Sequence, residues 1–383
     1  RCDHIVVLDE GKVLTHRAPA EFLQAVTGRV FLLAKKGWTR RRLLEAVSPR
    51  DEVVDAVIEG DGVRVVLSDT LSPGSIASWK DLDPLEATPV APRFEDALLD
   101  LLRGERGSEK QKRAPTVPAG TTSVSTARER ETVIEVHDVV RKFGAFTAVK
   151  GISFDVHRGE VFGLLGANGA GKTTTFRMLC GLLPPTSGKL KVAGIDVRRA
   201  AAAARARIGY MAQKFSLYGT LNVRENLAFF SRAYGLSGAR RRRRMEWAIE
   251  EFQLASVLGT LSHTLPLGYQ QRLAFACALM HEPDILFLDE PTSGVDPLAR
   301  REFWHRIDQL AARDVTVLVT THFMAEAEYC DRLVILREGT ILATGSPLDI
   351  RQQAGKDGQP APDMEEAFLR LVAKGSHGEE VRP

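Results

Sequence analysis

The run Gly166-Ala167-Asn168-Gly169-Ala170-Gly171-Lys172-Thr173-Thr174 constrains this chain more than any other stretch. It fits the pattern G-x-x-x-x-G-K-[S/T] without a gap. It follows an apolar run, Val161-Phe162-Gly163-Leu164-Leu165, that reads as a buried strand, and it precedes Thr175 to Leu183, which read as a helix. Strand, glycine loop and helix in that order are the context in which the pattern binds phosphate. The glycines let successive backbone N–H groups turn inward towards one anion. Lys172 supplies a point charge for the outer phosphates and Thr173 a hydroxyl for Mg²⁺. The same residues in another context would be only a glycine-rich turn. Here they imply a nucleoside triphosphate site and an α/β fold.

Charge and cysteine usage narrow the classes. Lys and Arg number 52 against 49 Asp and Glu, for a net charge of +3. That near-balance argues against a dedicated nucleic-acid binder, although a local patch remains open. Cys2, Cys180, Cys277 and Cys330 form no C-x-x-C pair and fit buried thiols in a reducing compartment. No apolar run is long enough to span a bilayer. The chain opens on Arg1, inside what reads as a strand, and is expected to be a piece of a longer protein.

An internal repeat organises the chain. Arg1-Cys2-Asp3-His4-Ile5-Val6-Val7-Leu8-Asp9-Glu10-Gly11 matches Tyr329-Cys330-Asp331-Arg332-Leu333-Val334-Ile335-Leu336-Arg337-Glu338-Gly339, and Leu14 and Pro19 match Leu342 and Pro347 at the same offset. Residues 1–29 therefore read as the end of a unit whose complete copy comes later. Residues 30–102 read as a small α+β module, with a hairpin at Glu59-Gly60-Asp61-Gly62 and a closing amphipathic helix from Phe94 to Leu102. Residues 103–131 have the composition of a flexible linker. Strands and helices alternate over 132–350, and 351–383 reads as a polar tail with one helix, Met364 to Val372.

Downstream of the loop, Ile285-Leu286-Phe287-Leu288 is an apolar strand ending in Asp289 and Glu290. A parallel sheet places ligands at the carboxyl ends of its strands. There Asp289 can hold Mg²⁺ directly or through water, and Glu290 can polarise a water for attack on the γ-phosphate. Gln213, after Ile208-Gly209-Tyr210-Met211, can reach the metal or that water. His322 ends the strand Val315 to Thr321, where it can contact the γ-phosphate, and Phe143, upstream, can stack on adenine. Each residue also has a purely structural reading, and only their order favours function.

Taken together these residues resemble the ATP-binding cassette (ABC) ATPases over about 132–350. The resemblance implies a P-loop cassette with a mixed core sheet, an antiparallel β subdomain and an α-helical subdomain, with ATP and Mg²⁺ as ligands. It implies a nucleotide site built from Gly166, Asn168, Gly169, Ala170, Gly171, Lys172, Thr173 and Thr174, with Phe143 on the base. By the same resemblance Thr173, Gln213 and Asp289 attend the metal, and Glu290, His322 and Gln213 carry the chemistry. Two cassettes pair head to tail in that family, so the repeat implies a first cassette of the same protein as partner, with Asp296 communicating across the pair.

The signature loop departs from the family's Leu-Ser-Gly-Gly-Gln. It reads Leu265-Pro266-Leu267-Gly268-Tyr269, followed by Gln270. Pro266 lacks the serine hydroxyl and a backbone donor. Leu267 takes a place where glycine permits close approach. The composite site that uses this loop is expected to be catalytically weak. The cassette resembles those serving ABC-2-type permeases, which implies the ATP-binding subunit of a drug or small-molecule exporter on the cytoplasmic face of the inner membrane. A ribosome-associated tandem ATPase is the alternative, with the Arg240–Arg244 run as an RNA contact. That run otherwise reads as a solvated helix face.

Overall fold

The first ordered element is a hairpin whose register recurs near the other end of the chain. Strand β1 (Ile5–Asp9) pairs antiparallel with β2 (Lys12–Arg17), Ile5 opposite Arg17, with an irregularity between Val7 and Leu8. Near the far end, Leu333 stands opposite Gly345 and the irregularity falls between Ile335 and Leu336, the matching positions of the repeat. The computed structural model describes residues 2–9, 11–68, 76, 79–106, 131–213, 217–356 and 358–377. They belong to two compact units, Arg1–Thr122 and Ser123–Pro383. Most of the expected linker lies outside the described residues.

In the first unit the hairpin leads into α1 (Pro19–Gln24). A four-stranded antiparallel sheet comes next in the order β4-β5-β3-β6, from β3 (Val30–Ala34), β4 (Val53–Glu59), β5 (Gly62–Leu67) and β6 (Glu86–Pro89). Helix α2 (Arg40–Val47) starts where the Thr39 hydroxyl accepts the Arg42 N–H, and it buries Leu43, Leu44 and Val47. The closing helix, α3 (Phe94–Arg106), runs further than the expected Leu102 and sets Phe94 on Phe22 of α1. Buried ion pairs hold it. Arg64 of β5 meets Asp96 of α3 at 2.6 Å with both side chains almost wholly buried, and Arg29 meets Asp100 at 2.6 Å.

The second unit carries two sheets. One is antiparallel, in the order β11-β10-β7-β8, from β7 (Thr132–Phe143), β8 (Phe146–His157), β10 (Ser187–Val192) and β11 (Ile195–Asp196). The other is the central sheet, in the order β12-β13-β14-β9-β15-β16. Its strands are β9 (Val161–Gly166), β12 (Ile208–Met211), β13 (Ile285–Asp289), β14 (Thr316–Thr321), β15 (Arg332–Arg337) and β16 (Thr340–Gly345). All pairings in it are parallel except that of β15 with β16. β9, β13 and β14 are buried at every residue, as their unbroken apolar runs require of strands covered on both faces.

Helix α4 (Lys172–Leu179) follows β9, and α5 (Val197–Arg205) precedes β12. α4 is shorter than the expected Leu183 end, because Gly181 takes a left-handed φ of 64° and stops it. Helices α6 (Val223–Ala233), α7 (Gly238–Glu251) and α8 (Leu267–Ala278) lie between β12 and β13, and α9 (Pro297–Ala311) follows β13. The chain then continues through α10 (Pro347–Gln353) and α11 (Met364–His377).

Two expectations need correction. The boundary placed at 350 falls inside α10, and the supposed polar tail contributes Ala354, Ala361, Met364, Ala367 and Leu371 to the same core as β13. Helical spacing of those apolar residues makes the segment part of the cassette. The arginine run is also more than a solvated face. Arg244 of α7 is half-buried, donates to the carbonyls of Leu279 and Met280 at 2.9 and 3.0 Å, and lies 3.8 Å over the Trp247 ring. Arg240 pairs with Glu282 at 3.0 Å.

Removing Asp96 would leave the buried Arg64 guanidinium, among the described residues, with the Ala91 carbonyl at 2.7 Å and Glu59 at 3.6 Å. Asp96→Ala is predicted to destabilise the first unit by about 3 kcal/mol. Amide exchange in β5 would then be about a hundredfold faster.

Candidate active site

Parallel pairing brings the site together. β14 lies between β13 and β9, with Asp289 opposite Thr320 and Thr321 opposite Leu165. The carboxyl end of β13, the Thr320-Thr321-His322 corner and the start of the glycine loop therefore finish along one edge of the sheet. That edge is where ligands bind in sheets of this kind.

The loop needs its glycines for stated reasons. At Gly166, φ is 147° and an added Cβ would lie 2.4 Å from the Leu336 carbonyl. At Gly171, φ is 103° and a Cβ would come within 2.9 Å of the Ala148 carbonyl. Ala170 is buried beneath the loop, while Asn168, Gly169 and Thr173 are exposed on it and Thr174 is half-buried. The free N–H groups of the first turn of α4 open beside Thr173. Lys172 is buried, and its Nζ donates to the carbonyls of Gly166 and Ala167 at 2.7 and 3.1 Å. Burial pulls the Lys172 pKa down, while Glu290 and Asp289 pull it back up.

Opposite the loop stand the two acids. Glu290 adopts a φ of 47°, in the left-handed region that non-glycine residues avoid. Two acceptors hold it there, the Thr320 carbonyl at 3.1 Å and the Thr320 hydroxyl at 3.0 Å from the Glu290 N–H. The same hydroxyl donates to Asp289 Oδ1 at 2.6 Å. Burial pushes the Asp289 carboxyl above its usual pKa, opposed by the Thr320 hydrogen bond and reinforced by Glu290. Glu290 Oε2 accepts from Gln213 Nε2 at 2.7 Å and lies 3.1 Å from His322 Nδ1. Lys172, Gln213, Asp289, Glu290 and His322, which the sequence scatters, thus converge.

Sequence reasoning alone does not single out Thr320. Its signal is present nonetheless: a hydroxyl inside an otherwise apolar buried strand must find a partner. Gln271 of α8 is a second unforeseen contact, donating from deep burial to the Pro291 carbonyl at 2.8 Å. Asp296 caps α9 by accepting the Ala299 N–H at 3.0 Å.

The remaining expected residues lie away from this cluster. Pro266 stands at the N-cap of α8 without a side-chain bond, and Leu265 is buried beneath it. Gln270 Nε2 turns back to the Leu265 carbonyl at 2.8 Å, so it is tied within the loop. Leu267 is 41% exposed, and its Cδ2 would lie 3.3 Å from a Cβ built on Gly294, whereas Gly268 faces open space. Phe143 sits at the turn of the β7–β8 hairpin, half-exposed, with the Arg141 guanidinium 4.5 Å over its ring.

Asp289 fits a cation. It is a buried carboxylate raised above its usual pKa by burial and by Glu290, against the opposing Thr320 hydroxyl and the Arg177 and Lys172 charges.

A phosphate loop, two strand-end acids and a helical insert between β12 and β13 define a P-loop ATPase cassette. The family profile described as "ABC transporter" matches residues 149–293. The "Probable multidrug ABC transporter ATP-binding protein YbhF" of Escherichia coli (strain K12) is 46% identical over 373 residues, which is 97% of this chain and 63% of that protein. The chain thus spans less than two thirds of that relative's length. The "Nod factor export ATP-binding protein I" of Paraburkholderia xenovorans (strain LB400) is 45% identical over 218 residues, 57% of this chain and 72% of that protein. A solved "ATP binding subunit of ABC transporter" superposes with a TM-score of 0.58 at 33% identity, covering 63% of this chain and all of that one. The chain belongs to the ATP-binding proteins of the ABC transporter family.

Thr320→Val removes the donor that favours the charged form of Asp289, so the Asp289 pKa should rise further. The carboxylate is lost as pH falls through that pKa. The acid limb of the kcat/KM profile for ATP should therefore move to higher pH.

Proposed function

We propose that this chain belongs to the ATP-hydrolysing subunit of an exporter. It would drive a separate ABC-2-type membrane permease, from the cytoplasmic face of the inner membrane, to export drugs or other small molecules. The observation that carries the hydrolytic part is the Glu290 carboxylate held between Gln213 and His322 opposite Lys172. Likeness over 97% of this chain to a protein named as a multidrug ATP-binding protein supports the export part.

In this reading Lys172 leaves the Gly166 and Ala167 carbonyls to meet the β- and γ-phosphates of ATP, and the α4 N-terminus receives them. Glu290 takes a proton from the attacking water, and His322 bonds the γ-phosphate. Gln213 orients the water. Thr173, Asp289 and Gln213 would hold Mg²⁺, which neutralises charge developing on the phosphate oxygens. Phe143 would stack on the base at the exposed hairpin turn.

The repeat supports a tandem protein. In the second unit Val334 and Leu336 are buried in a strand that pairs with β9, whereas the matching Val6 and Leu8 of β1 are 51% and 65% exposed. Residues 1–29 would then complete a first cassette, 30–102 form an accessory module, and the two cassettes pair head to tail with Asp296 between them. The site that uses the Pro266-Leu267 signature turns over slowly in this reading. Restoring the family residues with Pro266→Ser and Leu267→Gly should raise the ATPase rate of the full-length protein, measured as phosphate release.

A docking face for the permease would lie around Tyr218 and Phe229. Both are exposed, with ring centroids 4.4 Å apart. Asn226 anchors this loop from full burial, accepting the Tyr218 N–H at 2.9 Å and donating to the carbonyls of Tyr218, Leu221 and Asn222. Lys214, Phe215 and Ser216, which precede it in sequence, lie outside the described residues.

Glu290→Gln should cut kcat of the full-length protein by about a hundredfold or more while ATP still binds. Fractionation checks the transport half. Sedimentation with membranes only when a multi-span protein is co-expressed supports it, and salt-sensitive sedimentation with ribosomes overturns it.

A further inference from the structure

Glu326 lies in the 3₁₀ turn Met324–Tyr329 that comes after His322, and it is 2% exposed. A carboxylate so deep must be compensated by its neighbours. Its Oε1 accepts a hydrogen bond from the Thr292 hydroxyl, itself 1% exposed. Arg300 of α9 approaches the same oxygen at 3.8 Å, and the Thr321 hydroxyl and the Trp304 indole face the carboxylate. Burial pushes the Glu326 pKa up, and the hydrogen bond from the Thr292 hydroxyl pulls it back.

These contacts join three segments. Thr292 is on the loop from Glu290 to Asp296, Thr321 immediately precedes His322, and Arg300 and Trp304 belong to the helix that Asp296 caps. Glu326 also fixes the turn itself, since its N–H donates to the Phe323 carbonyl at 3.0 Å. The Thr292–Glu326 hydrogen bond thus ties the carboxylate loop directly to the histidine turn beyond the end of β14.

We propose that Glu326 is a positioning residue that clamps the Glu290–Asp296 loop to the His322 turn, keeping both side chains within reach of one γ-phosphate. The proposal rests on the assignment of Glu290 and His322 to hydrolysis. It goes beyond that assignment by placing the control of their spacing on a buried residue next to them.

Steady-state ATPase kinetics on the full-length protein test it. Glu326→Gln keeps the shape but turns one acceptor oxygen into a donor among donors. Thr292→Val keeps the shape and removes the hydroxyl, and Thr292→Ser keeps the hydroxyl. We expect Glu326→Gln and Thr292→Val each to lower kcat by about tenfold or more with KM within about twofold, because the spacing matters in the transition state rather than in binding. Thr292→Ser should recover most of the rate. The double variant should be little worse than either single one, as for two partners in one contact. With Glu290→Gln inactive, kcat within about twofold of the parent in both Glu326→Gln and Thr292→Val overturns the clamp alone. If Glu326→Gln fails to fold, full activity in a folded Thr292→Val overturns it equally. Unchanged hydrolysis in Glu290→Gln would sink the site assignment and the clamp with it.

Discussion

The site depends on one constraint, the parallel pairing of β14 between β13 and β9. Fixing Asp289 opposite Thr320 and Thr321 opposite Leu165 makes three strands end together. A slip of one residue would turn Asp289 to the other face of the sheet, because side chains alternate along a strand. Such a slip is opposed by burial on both faces. Ile285 to Leu288 and Val317 to Val319 are wholly buried, so an acid could not be drawn into their place without losing its partners. The apolar runs thus set the register, and the register places the acids.

Thr320 converts that register into chemistry. One hydroxyl donates to Asp289 and accepts from the Glu290 N–H, so it orients both acids and steadies a φ of 47° that Glu290 would otherwise avoid. Strain of this kind persists only where neighbours over-determine the backbone. Glu290 also accepts from Gln213 beyond β12 and faces His322 beyond β14, so the carboxylate that would activate water is held from both flanking strands.

Much of this is legible in the sequence because it is local. A glycine loop between an apolar run and a helix needs no tertiary knowledge, and neither does an apolar strand ending in Asp-Glu. The features that escape are relational. Nothing in the neighbourhood of Thr320, Gln271 or Glu326 names its partner, since Thr292 and Pro291 approach them only through the fold. The tail misleads for a similar reason. Met364, Ala367 and Leu371 are spaced as one helical face, but a polar lead-in hides that the face has a core to join. Arg244 shows the reverse case, a charge within a charged run that is packed on Trp247 and caps carbonyls at the end of α8.

The repeat reaches beyond sequence in a way that composition could not. The two hairpins share their register and the position of their irregularity. An irregularity adds one residue to one strand and bends it, so it persists only where the bend is used. In the second unit β16, the partner across that bend, leads into α10 and on to the helix that closes the core. The first hairpin keeps the same bend and leads into α1, which packs against α3 through Phe22 and Phe94 instead. One local geometry therefore feeds two different closures. The difference lies in the segment downstream of each hairpin, because the strands themselves present the same bend to both.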